Sequence, residues 1–259
     1  MNQPPPMPGL QPETATQATM SLGARLFNVF ATPGEVYDQV KAAPFAASNW
    51  LVPALLLVLV SWLGMGLVLS QPAIKQQLTE ITDKQLEKSA QKANLSAERA
   101  EQMRHFAELS TKVVLFAGPV IQAFGFPLIW GLYVWLAGNH LMSGSFGYLK
   151  AVEAVGLSNM IAVLEALVRS LLIVVTASLF ATPSLALLVK DFDPQNPQHA
   201  AFALVNVMSL WLLVVRSIGL ARLAGGSIAR AALWVFGFWI LYTGFFWGVG
   251  AVARAAARM

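Results

Sequence analysis

Cysteine is absent from all 259 residues, which removes disulfide frameworks, thiolate metal sites and cysteine nucleophiles together. Charge is scarce as well: Asp, Glu, Lys and Arg supply 12% of the chain, against about 25% in soluble domains. The Lys and Arg are dispersed, with no basic block and a formal net charge of only +4, so nucleic acid is not an expected partner. The opening stretch, MNQPPPMPGLQPETATQATM, has neither a basic start nor an adjoining apolar run. Residues 1–20 therefore read as a disordered Pro/Gln-rich tail rather than a cleaved signal peptide.

Recognisable catalytic constellations are missing too. Neither HExxH nor a phosphate loop occurs, and Ser227 in GGSIA is not a GxSxG nucleophile elbow. His105, His140 and His199 stand in separate polar stretches, with no second His or carboxylate at ligand spacing, and suggest no zinc site. Asp191 and Asp193 in DFDPQNPQH read as a solvated Pro-rich loop rather than a cation site. The chain is thus expected not to be an enzyme and to hold no cofactor or metal.

What the chain has in abundance is apolar length. Hydrophobic residues make up 56% of it and the mean hydropathy is +0.60, outside the range of soluble domains. Lipid solvates the apolar faces of such helices while each closes its own backbone hydrogen bonds. The fold class is all-α: a polytopic transmembrane helical bundle of about five spans, residues 46–259, with a polar helical insertion between spans one and two. The spans fall at about 50–70, 113–136, 157–179, 201–220 and 231–252, each near the roughly 20 residues needed to cross a bilayer. Span one carries no charge, and its Pro53 lies in the first turn, where no amide bond is lost. Span two contains Pro119 and Pro127, which predict kinks; these read as architecture, with a substrate path as the alternative.

Residues 71–112 switch abruptly to Lys, Glu, Gln and Ala, with seven basic and six acidic side chains, and cannot sit in lipid. Ile74, Leu78, Ile81 and Leu86 draw one helical stripe, Asn94-Leu95-Ser96 interrupts it, and Met103, Phe106 and Leu109 draw another. A helical hairpin or bent helix is expected, with its apolar stripes on the bilayer or a partner. Ahead of span one, residues 21–45 read as two short interfacial amphipathic helices. Thr32 is placed to cap the second, with Pro33 at its first position and Glu35 closing a capping box.

Four charged residues stand out against this apolar background. Glu165 and Arg169 lie four apart on one helix face, acid first, the favourable order for an ion pair. Intramembrane charges cost about 2.5 to 3.5 kcal/mol each on insertion scales unless paired or wet, so a mutually neutralising pair facing the bundle is expected. A proton or ion relay and a lipid-headgroup or partner contact are the alternatives. Arg216 is placed to snorkel from span four or to reach Glu165 or Glu153, making a small interior cluster of Glu165, Arg169, Arg216 and Glu153. Glu153, beside Lys150, reads as interfacial. In span five Gly244 and Gly248 form GxxxG, which permits close helix packing, within the chain rather than between copies. Trp50, Trp130, Tyr133, Tyr242 and Trp247 read as interfacial or packing aromatics.

The order of these segments resembles the Yip family, the Ypt/Rab-interacting five-span membrane proteins, and especially its bacterial members, whose first loop is often long and helical. Three stretches carry the resemblance: LFNVFATPGEVYDQVKAAPFAASNWLVP at Leu26–Pro53, FGYLKAVEAVG at Phe146–Gly156, and LWLLVVRSIGLARLAGGSIARAALW at Leu210–Trp234. It implies a cytosolic N-terminus, an outer C-terminus and an exoplasmic insertion, in the bacterial inner (cytoplasmic) membrane. Flanking charge points the same way, with Arg25, Lys41, Lys150, Arg222 and Arg230 inside and Lys190, Arg254 and Arg258 outside. Counting the seven basic residues of the insertion reverses that bias. Eukaryotic relatives bind prenylated small GTPases; for the bacterial type no single activity is implied. The function read from all this is a scaffold or adaptor in membrane organisation, with the lipid bilayer and a membrane-protein partner or second copy as its contacts. A small transporter or accessory subunit of an export system is the alternative.

Overall fold

A computed structural model describes residues 20–92, 97–190, 192–194 and 196–256. The tail to residue 19, the Asn94-Leu95-Ser96 break, Asp191 and Arg258 lie outside the described residues. Among the described residues the fold is 83% helical, has no strands and contains five helices long and apolar enough to cross a membrane. Ten α-helices follow one another: α1 Leu22–Ala31, α2 Pro33–Ala42, α3 Ser48–Leu69, α4 Pro72–Lys92, α5 Ala97–Leu136, α6 Tyr148–Ser158, α7 Met160–Thr176, α8 Pro197–Leu204, α9 Val207–Ala224 and α10 Ile228–Ala256.

Local chemistry accounts for where they start and stop. Ser21 caps α1, its Oγ accepting from the Ala24 N–H at 3.2 Å. α2 begins at Pro33, yet the Thr32 hydroxyl caps nothing, because a ψ of 55° takes Thr32 out of the extended geometry a cap needs. The Glu35 amide bonds the Thr32 carbonyl at 3.1 Å instead. Span three is longer than 157–179: α6 and α7 form one apolar stretch, Tyr148–Thr176, bent at Asn159. Span four begins at Val207 rather than 201, because Asn206 accepts from the amides of Met208 at 2.9 Å and Ser209 at 3.3 Å and so starts a new helix. α9 then ends at Gly225, whose φ of 71° suits a residue without Cβ. Span two is the C-terminal part of a 40-residue helix that begins inside the polar insertion and carries Pro119 and Pro127 within it.

α3 packs on α5, α6 and α7, while α9 packs on α2, α6, α7 and α10. Without an aqueous driving force between spans, small residues set the approach: a Cβ on Gly156 would collide with Trp50 of α3, and one on Gly131 with Val152 of α6. α1 and α2 fold back onto the bundle, which covers Leu26 and Val29 of α1 and the apolar face of α2 and leaves Phe27 exposed. Val29, Val36, Tyr37 and Val40 are fully buried against Leu157, Ile161, Val215 and Leu223. α10 is the least covered of the five crossing helices; Phe238 ties it to α5 by stacking on Tyr133 at 3.9 Å and standing edge-on to Trp130 at 5.0 Å.

Five crossings place α1, α2 and the α5–α6 and α9–α10 turns at one end of the bundle. The insertion and the α7–α9 loop lie at the other. At the first end basic side chains donate to carbonyls at helix C-termini, where the dipole favours a cation. Lys41 Nζ reaches the Arg222 carbonyl at 2.9 Å, Lys150 Nζ the Ala43 carbonyl at 2.9 Å and Arg230 Nη2 the Leu141 carbonyl at 2.6 Å. At the far end α4 and the start of α5 form a helical hairpin, joined by Arg104 and Asp83 at 3.0 Å. Its base is anchored by buried Ile74 against Val68 and Ile173. Gln77 adds two hydrogen bonds, donating to the Ala177 carbonyl at 2.6 Å and accepting from the Leu179 amide at 3.3 Å.

Candidate functional site

The four charged residues expected to cluster do not all meet: Glu153 lies apart from Arg216 and Glu165, and Arg169 is exposed. Glu153 is fully buried, enclosed by α2, α3 and α6 rather than left at an interface. One carboxylate oxygen accepts from Lys150 Nζ at 2.7 Å, the other from Asn49 Nδ2 at 2.6 Å. The same ammonium donates to the Ala43 carbonyl at 2.9 Å, so this set ties the α2–α3 link and the head of α3 to α6.

Arg216 lies apart from that set. It comes from the middle of α9, is only 6% exposed, and reaches no carboxylate among the described residues. Nε donates to Ser158 Oγ at 3.2 Å and Nη2 to Asn159 Oδ1 at 2.9 Å, so the guanidinium fills the bend between α6 and α7. Its Cζ lies 4.4 Å from the centroid of the Trp130 ring, a cation–π contact worth up to about 2 kcal/mol when desolvated. Beneath it stands Tyr37, whose hydroxyl donates to the Ala154 carbonyl at 3.3 Å. Burial pushes the Tyr37 phenol well above its ordinary value, and the nearby Arg216 charge opposes that only in part.

Glu165 lies further along α7 and accepts from Asn206 Nδ2 at 2.6 Å. The expected ion pair with Arg169 is not formed among the described residues: Arg169 lies exposed on the bundle surface, and the amide that starts α9 offers Glu165 a nearer partner. Glu165 and Arg216 do face a common cleft of about 250 Å³, with Gln122, Asn159 and Ser209 also on its walls. Trp130, Trp239 and Tyr242 supply aromatic surface there. Gly244 and Gly248 take no part in packing within the chain, since a Cβ on either would meet no atom within 4 Å. Their face of α10 is turned outward.

Sequence reading missed the uncharged members, Asn49, Ser158, Asn159 and Asn206. An amide inside a long apolar run carries no pairing rule by itself. Only Asn206, directly ahead of VMSLWLL, bore a readable signal, as a helix cap. Among the described residues no group of three His, Cys, Asp or Glu converges as a metal site would.

Bundle and buried polar sets together define a multi-pass, all-α integral membrane protein. The chain belongs to the Yip1 domain family, which matches residues 27–250. That range takes in all five crossing helices, α2 and the hairpin. No curated protein and no solved structure matches.

Proposed function

We propose that the protein is a non-enzymatic scaffold or adaptor in a membrane or membrane complex, seated in a bacterial inner membrane with its N-terminus in the cytosol. The observation that carries this reading is the far-end hairpin. On α5, Phe106 and Leu109 are 70% and 55% exposed, at i and i+3, a short apolar stripe that the chain itself leaves uncovered. A polar hairpin bearing such a stripe suits a membrane-protein partner or a second copy. Glu153 and Lys150 of α6 are satisfied by each other, Asn49 and the Ala43 carbonyl. A photocrosslinker at position 106 is expected to give a discrete adduct in membranes that is lost in Leu109→Glu; no adduct, or one indifferent to Leu109→Glu, contradicts the proposal.

A second reading, a small transporter or accessory subunit of an export system, is favoured by one observation: Glu165 and Arg216 line a cleft instead of neutralising each other. Solute flux in proteoliposomes that falls in Glu165→Gln supports it. Flux absent from the wild type removes it.

A further inference from the structure

We propose that the cleft between α3, α5, α7, α9 and α10 is a binding site for a phospholipid with a zwitterionic headgroup, its phosphate held by Arg216 and its ammonium by Glu165. The inference rests on neither reading of the function and stands for a scaffold or a carrier alike.

The charge of the walls selects the ligand. Arg216 and Glu165 are the charged residues on the cleft, one of each sign. A plain anion drawn to Arg216 meets Glu165 as a like charge, whereas a ligand bearing both signs satisfies both. Arg216 spends two N–H groups on Ser158 and Asn159, and its remaining donors meet no acceptor among the described residues. A guanidinium presents five donors in a planar fork that matches phosphate oxygens. Glu165 commits one oxygen to Asn206 and keeps the other. Burying such charges without a counter-charge is costly, and a ligand between them supplies both at once.

Spacing agrees with this assignment. Arg216 is fixed at Asn159, and Glu165 follows Asn159 by six residues on α7, about 9 Å along a helix axis at 1.5 Å per residue. A phosphate joined to an amine through two carbons, with one hydrogen bond of about 2.8 Å at each end, has a length of the same order as that axial rise. Access agrees as well. Phe126 of α5 and Tyr242 of α10 both line the cleft and are both exposed on the outer face of the bundle. The opening therefore faces the bilayer sideways, so that acyl chains remain in lipid while the headgroup enters. Trp239 and Tyr242 add aromatic faces that suit an ammonium group.

The test uses the full chain purified in detergent and supplied with equal amounts of dioleoyl phosphatidylethanolamine and dioleoyl phosphatidylglycerol, with retained lipid read by native mass spectrometry. The wild type is expected to retain the ethanolamine lipid about tenfold over the glycerol lipid, equivalent to 1.4 kcal/mol. Glu165→Gln is expected to bring the two close to parity while leaving the melting temperature within a few degrees. Arg216→Lys keeps a charge in the bend but loses the fork, and is expected to retain less of both lipids. Equal retention by the wild type, or a preference unchanged in Glu165→Gln, overturns the proposal. Displacement of the lipid by soluble glycerophosphoethanolamine at equal concentration overturns the lipid assignment in favour of a water-soluble zwitterion. Lipid retention without solute flux leaves the site standing and removes only the transport reading.

Discussion

Glu153 shows how one buried carboxylate holds three elements. Both of its oxygens are used, by Lys150 and by Asn49, so replacing it leaves the Lys150 ammonium without its counter-charge and with the Ala43 carbonyl as its remaining partner. Removing one partner of a buried pair costs about 3 to 5 kcal/mol. Glu153→Ala is expected to lose about 3 kcal/mol or more in reversible SDS unfolding, and Glu153→Gln, which fills the same space and keeps one of the two acceptor oxygens, clearly less. Equal losses would show that the carboxylate charge and its second acceptor, absent from both variants, matter there and the filled space does not. Tyr37 makes a different prediction. Its phenol is held neutral by burial in the folded chain, while in the unfolded chain it ionises near pH 10. The folded state therefore keeps a proton that the unfolded state releases, and stability falls as pH rises above about 10. In Tyr37→Phe that part of the alkaline loss disappears, checked by thermal unfolding between pH 8 and 11. At this scale the sequence was half legible. Charges in apolar runs marked Arg216 and Glu165 as unusual, but whether they met each other depended on Asn159 and Asn206, which fold geometry alone brings to them.

Elements were easier to read than their joints. Hydropathy finds the spans because a lipid-exposed helix needs about 20 apolar residues, and the five crossing helices follow from that rule. It is blind to where a helix is interrupted while remaining apolar, which is why the bend at Asn159 and the restart at Asn206 shifted spans three and four. Asn206 both caps α9 and binds Glu165. Asn206→Ala is expected to cost about 1 to 2 kcal/mol, the range of a lost cap, whereas Asn206→Asp keeps the cap acceptor but sets a second carboxylate beside Glu165. A Gly156→Val change is expected to be worse than either, since the residue touches Trp50 of α3 with no space for a Cβ. Overpacking of this kind costs about 1 to 3 kcal/mol. Loss of detergent-extracted monodisperse protein on size-exclusion chromatography, relative to Gly237→Val where nothing lies within 4 Å, reads it out.

Taken as a whole molecule, the chain is polar at opposite ends in two distinct ways. One end presents α1, α2 and the basic side chains that close helix C-termini; the other presents the hairpin with its uncovered apolar stripe. The proposed scaffold depends on those ends facing different compartments. Absence of native cysteine makes this directly measurable, because a single introduced cysteine is then the sole thiol. Thr79 on α4 and Ser227 in the α9–α10 turn are both exposed. In intact spheroplasts a membrane-impermeant maleimide is expected to label Thr79→Cys at once and Ser227→Cys only after permeabilisation. Labelling of both without permeabilisation, or of Ser227→Cys alone, would contradict the arrangement.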